Sequence, residues 1–578
     1  MPEQLPPDSR IRSYTFRGLP VVQASCNDST TPISAALKYP LLKKKEGSCP
    51  SNIPMRYLFP LFLVLSCLLV LLPGCEPKED MVQTSGRLEF AQDTVLFDTV
   101  FTTIKTVTKR LWVYNRNRGA VKTDVSLGGT AGNPYSLIID GDAGNAKSGV
   151  LIRGNDSLQV LVRAVLGDNG QATIAKKFLV TDQVNFRTNG NDQNVKLVAY
   201  GQNAYFHRAD IVSVNTTWRT DKPHVIINSP LVQGGQTFQV GVLVAPGITL
   251  TIPKGARIYS HAGALIQVGG TLRVNDDFMP GTGTTDTVKA GNPNIVRFQG
   301  DRLEPEYSDI PGQWVGIVFT ATSRNNSIRY AEIKNATFGA LLYNPDNAPT
   351  GHPDLTVSNT VIRNISGSNV SFANARASTG GGIISYSGNV TAFNCLFTNC
   401  GEYAVLGVGG GVYDFNFCTF ANYTPAFRRE TASLTFTNEK ATDARVHLPI
   451  SLKLRNSIVW GSNLGLGTIE DELYLKNYQE YPSTGVLNIL NNLLRTKEYA
   501  TIAAVVGTVP TDNLINVDPL FVRTALVGSR PDYKLQATSP ATAPRRPAAG
   551  TVGIPLQHDL LNLPRSTTTP SLGAYEHR

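Results

Sequence analysis

The sequence predicts an all-β protein, a β-sandwich followed by a long parallel β-solenoid. The first observation is an irregular repeat between Ile328 and Thr496. Five segments align there: VSNTVIRNI from Val357, AFNCLFTNC from Ala392, DFNFCTFANY from Asp414, LRNSIVWG from Leu454 and ILNNLLRT from Ile489. Each sets an asparagine (Asn359, Asn394, Asn416, Asn456, Asn491) before a β-branched, aromatic or leucine-rich run. Those anchors lie 35, 22, 40 and 35 residues apart, so most coils carry loops. In three segments a second asparagine follows, at Asn364, Asn399 and Asn422. Asparagine tolerates the left-handed backbone of a tight bend, and its amide can bond to the same amide one coil away. No coil can bury its apolar row alone, so stability must come from stacking. The second observation is composition: 51 glycines, 8% aromatics and only 17% charged residues suit a turn-rich β protein. Thirdly, no stretch beyond the leader sustains a period of 3.6 residues. A β-sandwich with asparagine-rich turns fits the same repeat.

A chain of 578 residues exceeds one ordinary domain, although a solenoid lengthens without splitting. The formal charge is +9, but residues 1–74 hold eight basic and four acidic side chains, leaving about +5 (9 − 4) for the rest. No basic stripe interleaved with aromatics occurs, which argues against a nucleic-acid partner.

In order along the chain, residues 1–54 carry Lys43-Lys44-Lys45 and several prolines but no apolar periodicity. Arg56, the apolar run Tyr57 to Leu72 and a small residue before Cys75 are the parts of a secretory signal over 55–74. A transmembrane anchor would need roughly 20 apolar residues, and this run is shorter and broken by Pro60. Leu72-Pro73-Gly74-Cys75 resembles the lipobox of bacterial lipoproteins, which implies lipidation at Cys75 and a membrane partner through that anchor. Met55 is then the expected start, with 1–54 a mis-assigned leader. Residues 75–87, opening with Glu76-Pro77-Lys78-Glu79-Asp80, resemble the charged tether of Bacteroidota lipoproteins exported to the cell surface. The remaining cysteines, Cys395, Cys400 and Cys418, read as buried core residues, with one disulfide among them as the alternative. No C-x-x-C or Cys/His spacing suggests zinc, and neither metal nor cofactor is expected.

Residues 88–206 show about seven short strands separated by Gly, Asn and Asp turns, the pattern of an immunoglobulin-like β-sandwich. DTVLFDTVFTT, VYNRN and VKLVAYGQNA resemble the domain that precedes β-helices in Bacteroidota lipoproteins. The solenoid domain is set at 207–540, with its coils expected to begin after Trp218. VAPGITLTIPKGARIY followed by GGTLRV resembles the opening coils of right-handed parallel β-helix proteins. A charged, turn-rich loop from Asn275 to Gly312 interrupts them. In the tail, DPLF from Asp518, DYKL from Asp532, Ser539-Pro540-Ala541, Asp559 with Arg565, and GAYE from Gly573 resemble the closing motifs of such proteins. Residues 541–578 are expected to cap the solenoid, with Asp559 paired to Arg565.

The fold class includes polysaccharide lyases and hydrolases, whose sites need acid clusters or spaced aspartates on one sheet face. Between Val357 and Trp460 the coil strands are nearly free of acids, and His261 reads as a turn residue. Fold alone does not give function. The better surface candidates are Asp301, Arg302, Glu304, Tyr307 and Trp314 in the long loop, and Arg428, Arg429 and Glu430 after the Asn416 coil. Tyrosine and tryptophan stack on sugar rings, while arginine and carboxylates bond hydroxyls. The leading expectation is a non-catalytic platform that binds a polysaccharide or a surface protein. A lyase or hydrolase using Arg302, Glu304, Arg428 and Glu430 is the second reading, and a structural envelope protein the third.

Overall fold

The computed structural model describes residues 81–577 except 130–133, 168–177, 234, 280–291, 350, 367–379, 425–428, 463–468, 508–512, 525–529 and 543–555. The lipobox and Cys75 therefore lie outside the described residues. No described helix is long and apolar enough to cross a membrane.

Alternation of side chains builds the N-terminal sandwich. Along Lys109–Asn115, Leu111 and Val113 point inward and are fully buried, while Arg110 and Trp112 face out. Two five-stranded sheets result. One joins Glu89–Phe90, Lys109–Asn115, Asp156–Ala164, Tyr135–Ile139 and Asp142–Ala143, all antiparallel. The other joins Thr94–Phe101, Asn191–Gln202, Phe178–Thr188, Val121–Leu127 and Ala146–Ile152. In it Thr94–Phe101 runs parallel to Asn191–Gln202, while the other pairs are antiparallel. Phe97, Leu111, Tyr135, Val160, Phe186 and Leu197 fill the space between the sheets.

The chain then winds through three parallel sheets of eleven, nine and nine strands, a parallel β-helix. One full coil reads Ala331–Lys334 in sheet one, Phe338–Tyr343 in sheet two and Asp354–Ser358 in sheet three, before Val361–Ile365 re-enters sheet one. Inward positions repeat from coil to coil: Ile333, Ile362, Phe397, Phe420 and Val459 stack in one column. Winding starts at Tyr205–Arg208, before Trp218. Its first strands hold two to four residues and no anchor asparagine, too little pattern to read from sequence. Phe101 of the sandwich packs on Tyr259 of sheet one, ring centroids 4.8 Å apart.

The asparagine bends lie between sheets three and one. Asn359, Asn394, Asn456 and Asn491 have φ of 49–59°, the left-handed region that asparagine tolerates best among residues with a side chain. Asn416 departs from this: it ends strand Gly411–Asn416, and the left-handed position passes to Phe417 with φ 51°. The amide ladder joins Asn491 to Asn456 at 2.9 Å and Asn456 to Asn416 at 3.0 Å. At the two earlier bends the C-terminal tail takes over: Asn359 and Asn394 donate to the carbonyls of Asp559 and His558.

That tail lies along the side of the solenoid, whereas the sequence expectation put a cap at 541–578. Gly573 donates its N–H to Asn456 O and Ala574 donates to Thr419 Oγ1. Leu560, Leu572, Ala574 and Tyr575 pack on Val361, Leu396, Ala421 and Ile458 of sheet one. The end itself is filled from 478–507, where Tyr481, Tyr499, Val505 and Val506 join the main core. Asp559 acts on Arg565 through its charge but makes no direct ion pair with it. Its oxygens accept the backbone N–H groups of Leu561, Leu563 and Glu576. Arg565 instead pairs with Glu576 at 3.5 Å, donates to Asn394 Oδ1 and lies over the Phe417 ring at 4.3 Å. Burial pushes the Arg565 guanidinium down to about 10. The irregular Phe417 bend is thus the seat of the tail. Cys395, Cys400 and Cys418 are buried free thiols in the core.

Candidate functional site

Outward positions of sheet one carry charge where a bare sheet face would carry solvent. Glu332 and Arg363 are neighbours on adjacent strands and are both buried. Arg363 Nε donates to Glu332 at 2.8 Å and Nη1 to Asp309 at 2.6 Å. Arg297 reaches Glu332 from the other side at 3.2 Å. Burial alone would raise Glu332, but the charges of Arg363, Lys334 and Arg297 hold its carboxyl below the usual range. Burial, with Arg363 adding its repulsion, lowers Lys334 to about 8, and its ammonium is held by Ser308 O at 3.1 Å. Removing one partner of such a buried set leaves an uncompensated charge, so the set fixes the loop that covers it.

That loop, with Asp309 and Pro311, forms one wall of a groove of about 320 Å³ on this face. The opposite wall is the hairpin Phe521–Arg523 with Asp532–Leu535. The floor includes Arg363, Asn364, Thr398 and Asn399, and Tyr423, Tyr533 and Tyr575 border it. Asn399 donates to Asn364 Oδ1 at 2.9 Å, and its own Oδ1 has no hydrogen-bond partner. Tyr533 accepts from Thr398 Oγ1 at 2.8 Å and stacks on Tyr423 at 5.9 Å. Every acid on the wall is engaged: Asp309 by Arg363 and Arg530, and Asp532 loosely by Lys534 at 3.9 Å. Such a groove can bond hydroxyls and anions from arginine, lysine and amide groups. Among the described residues it holds no free pair of carboxylates for acid–base cleavage.

The sequence-predicted residues fall elsewhere. Arg302, Glu304 and Tyr307 come together: the Arg302 guanidinium lies 4.0 Å over the Tyr307 ring and 3.4 Å from Glu304. Asp301 is spent on His261, 2.6 Å away, whose imidazole the bond holds above its ordinary range. His261 is therefore the latch of the loop as well as a turn residue. Trp314 is corrected outright. It is buried in the solenoid core, and its indole N–H donates to Lys334 O at 2.9 Å, so it cannot meet a surface ligand. Arg429 is corrected likewise: it is buried and bidentate to Glu472 at 2.7 and 2.8 Å. Glu430 is exposed beside it, and Arg428 lies outside the described residues. Arg429 also holds Asn422 O, four strands along sheet one from the Val296–Gly300 coil that feeds Arg302, about 19 Å at the usual strand spacing. The two predicted clusters do not share a groove.

No protein-family model matches the chain, and no curated protein is significantly similar to it in sequence. Among solved structures, a family 123 glycoside hydrolase from Clostridium perfringens, described for glycolipid glycan hydrolysis, matches at 8% identity over 21% of this chain and 26% of that chain. Its TM-score is 0.15, so the match bears on neither activity nor substrate.

The groove residues that sequence reading missed are Asp309, Arg363, Asn399, Arg523 and Arg530. One signal was available. Arg363 sits at an outward position within the apolar VIRNI strand, and a charge in such a strand needs a cover and partners.

A second polar constellation closes the first coil from inside. His224 Nε2 faces Arg219 O at 2.7 Å and so carries the proton there. Its Nδ1 then accepts from His207 Nε2 at 2.8 Å, and His207 Nδ1 meets Asp210 at 2.6 Å. Trp218 stacks on both imidazoles, 4.2 Å from His224 and 4.5 Å from His207. Buried under Trp218 and against the core, this chain is a plug for the open solenoid end.

Proposed function

We propose that this protein is a lipid-anchored, surface-exposed lipoprotein whose β-helix serves as a rigid, non-catalytic platform binding a glycan in the sheet-one groove. The observation that carries the reading is the state of the groove's acids. Asp309 is bound by two arginines and Asp532 by Lys534, while Arg523, Arg530, Asn399 and the tyrosines line the opening. Such donors can recognise hydroxyls, and among the described residues the groove lacks the two free carboxylates that glycoside hydrolysis uses. The anchor rests on Leu72-Pro73-Gly74-Cys75. A protein partner on the same groove is the second reading, and a polysaccharide lyase or hydrolase the third.

A glycan array read beside reducing-end and unsaturated-product assays tests this. Binding without product is expected, weakened at least about tenfold by Arg530→Ala. Product formation would overturn the platform in favour of the enzyme. Separately, mass spectrometry of membrane-extracted protein should find an acylated Cys75, and Cys75→Ala should release the protein from the membrane. An unmodified Cys75 in the membrane fraction counts against the anchor.

A further inference from the structure

We propose that the outward face of the first sandwich sheet is a separate binding site for a chain of acidic sugars. The strand Lys109–Asn115 alternates so that Arg110, Trp112 and Tyr114 all face out, and Arg116 follows just beyond it. At the usual rise this row runs about 20 Å from Arg110 to Arg116, the length of several sugar residues. Trp112 is 39% exposed, a large cost in apolar surface for a sheet face on which none of the described elements is stacked. The other three tryptophans differ: Trp218 and Trp314 are buried, and Trp460 is half-buried beneath Arg495, 5.3 Å from its ring.

The neighbours of Trp112 have the chemistry of a pyranose contact. Gln159 stands directly across from it and Ser157 across from Tyr114, both facing out. A sugar stacked on the indole presents its hydroxyls to that amide and that hydroxyl. The charge is one-sided. Glu89 is taken by Arg116 at 3.6 Å, and Arg116 also covers the Tyr114 ring at 4.5 Å. Arg110 and Arg163 remain without a carboxylate partner among the described residues, Arg163 being held in place by Thr108 Oγ1 at 2.8 Å. Both guanidiniums lie on the Lys109 side of the free Trp112 ring, Arg110 two residues from it and Arg163 level with Thr108, so they fit carboxylates or sulfates on the sugars that follow the stacked one. A nucleic acid fits less well, because unspecific single-strand binding uses successive rings along a basic groove. The site is independent of the sheet-one groove and belongs to a different domain.

The test uses the full chain with polygalacturonate as the carboxylate probe, heparin as the sulfate probe, and xylan and single-stranded DNA as controls. Titration is followed by calorimetry and tryptophan fluorescence. An acidic polymer should bind and perturb the fluorescence. Trp112→Ala should weaken that binding about tenfold or more, the scale for losing an aromatic anchor. The Arg110→Ala/Arg163→Ala double variant should weaken it comparably, and Arg530→Ala in the groove should leave it unchanged. All four substitutions lie at solvent-facing positions, and unchanged melting temperatures confirm folding. Unaltered affinity in both sandwich variants, or no binding of either acidic polymer, overturns the proposal. Equal affinity for xylan overturns the acidic class, and tighter binding of single-stranded DNA overturns the glycan. Loss in Arg530→Ala alone moves acidic-glycan binding to the groove and away from this face.

Discussion

At the scale of single residues, the bends between sheets three and one show why asparagine recurs. Asn394 meets two demands at once. Its backbone has φ 53°, and its amide donates to His558 O and accepts from Arg565. Asn394→Val should fail both. Forcing a β-branched residue into the left-handed region costs about 1–3 kcal/mol, and the orphaned Arg565 donor adds to that. Asn394→Gly relieves the backbone but still loses both amide bonds, so it should cost about 1–2 kcal/mol. Urea denaturation orders the three proteins, and equal midpoints for valine and glycine would show that backbone strain contributes nothing. Phe417 marks the exception: a bulky residue holds the same left-handed position one place on, and its ring carries Arg565.

Loop and tail, as elements, cover different stretches of one sheet face, and the groove lies where they meet. Asp309 joins the loop to Arg363 and Arg530, so Asp309→Asn should loosen that wall. Ligand affinity should fall several-fold, and the unfolding midpoint should drop by less than for Glu332→Gln, because Asp309 is the most exposed member of the set and Glu332 still pairs with Arg363. A large drop in midpoint with unchanged affinity would instead make Asp309 purely structural. At this scale the sequence was legible unevenly. The anchor asparagines located the later coils, since a left-handed bend restricts residue choice at one position. The long loop was also visible as a gap in the apolar runs. Its surface chemistry was not, because Trp314 and Arg429 look the same in sequence whether they face water or a buried partner. Trp314 fills the core, and Arg429 exists to neutralise Glu472, 43 residues further on. Nor could spacing show that Arg523 and Arg530 fold back beside Val361 and Leu396, more than a hundred residues earlier.

Across the whole molecule, a solenoid frays from its ends, because each coil is stabilised by its neighbours. The two ends here are closed differently. Tyr481, Tyr499, Val505 and Val506 make an apolar stopper at one, while the His207–His224 pair under Trp218 makes a titratable one at the other. Burial lowers His224 to about 4 from its ordinary 6.5, with the charge of neighbouring His207 adding to the shift. Arg257 acts in the same direction, whereas the bond to Arg219 O and the charge of Asp221 oppose it. Beyond His207 lies Asp210, held below the usual carboxylate range by its bond to that imidazole, and Tyr205 packs on the outer side against Asp221. The unfolded chain therefore takes up a proton at His224 before the folded one does. Its contribution is complete above about pH 6.5 and is lost as the pH falls toward 4, a change of roughly 3 kcal/mol over the full window. Glu402 titrates in the same window with the opposite sign, since burial lifts its carboxyl to about 7 and its protonated form suits the fold. The wild-type curve alone therefore does not decide the matter, but its difference from His224→Gln does. Urea midpoints measured from pH 7 to pH 4.5 should fall more steeply for the wild type than for the variant. Parallel curves would mean that the first coil is not held by a neutral His224 and that the proton enters elsewhere.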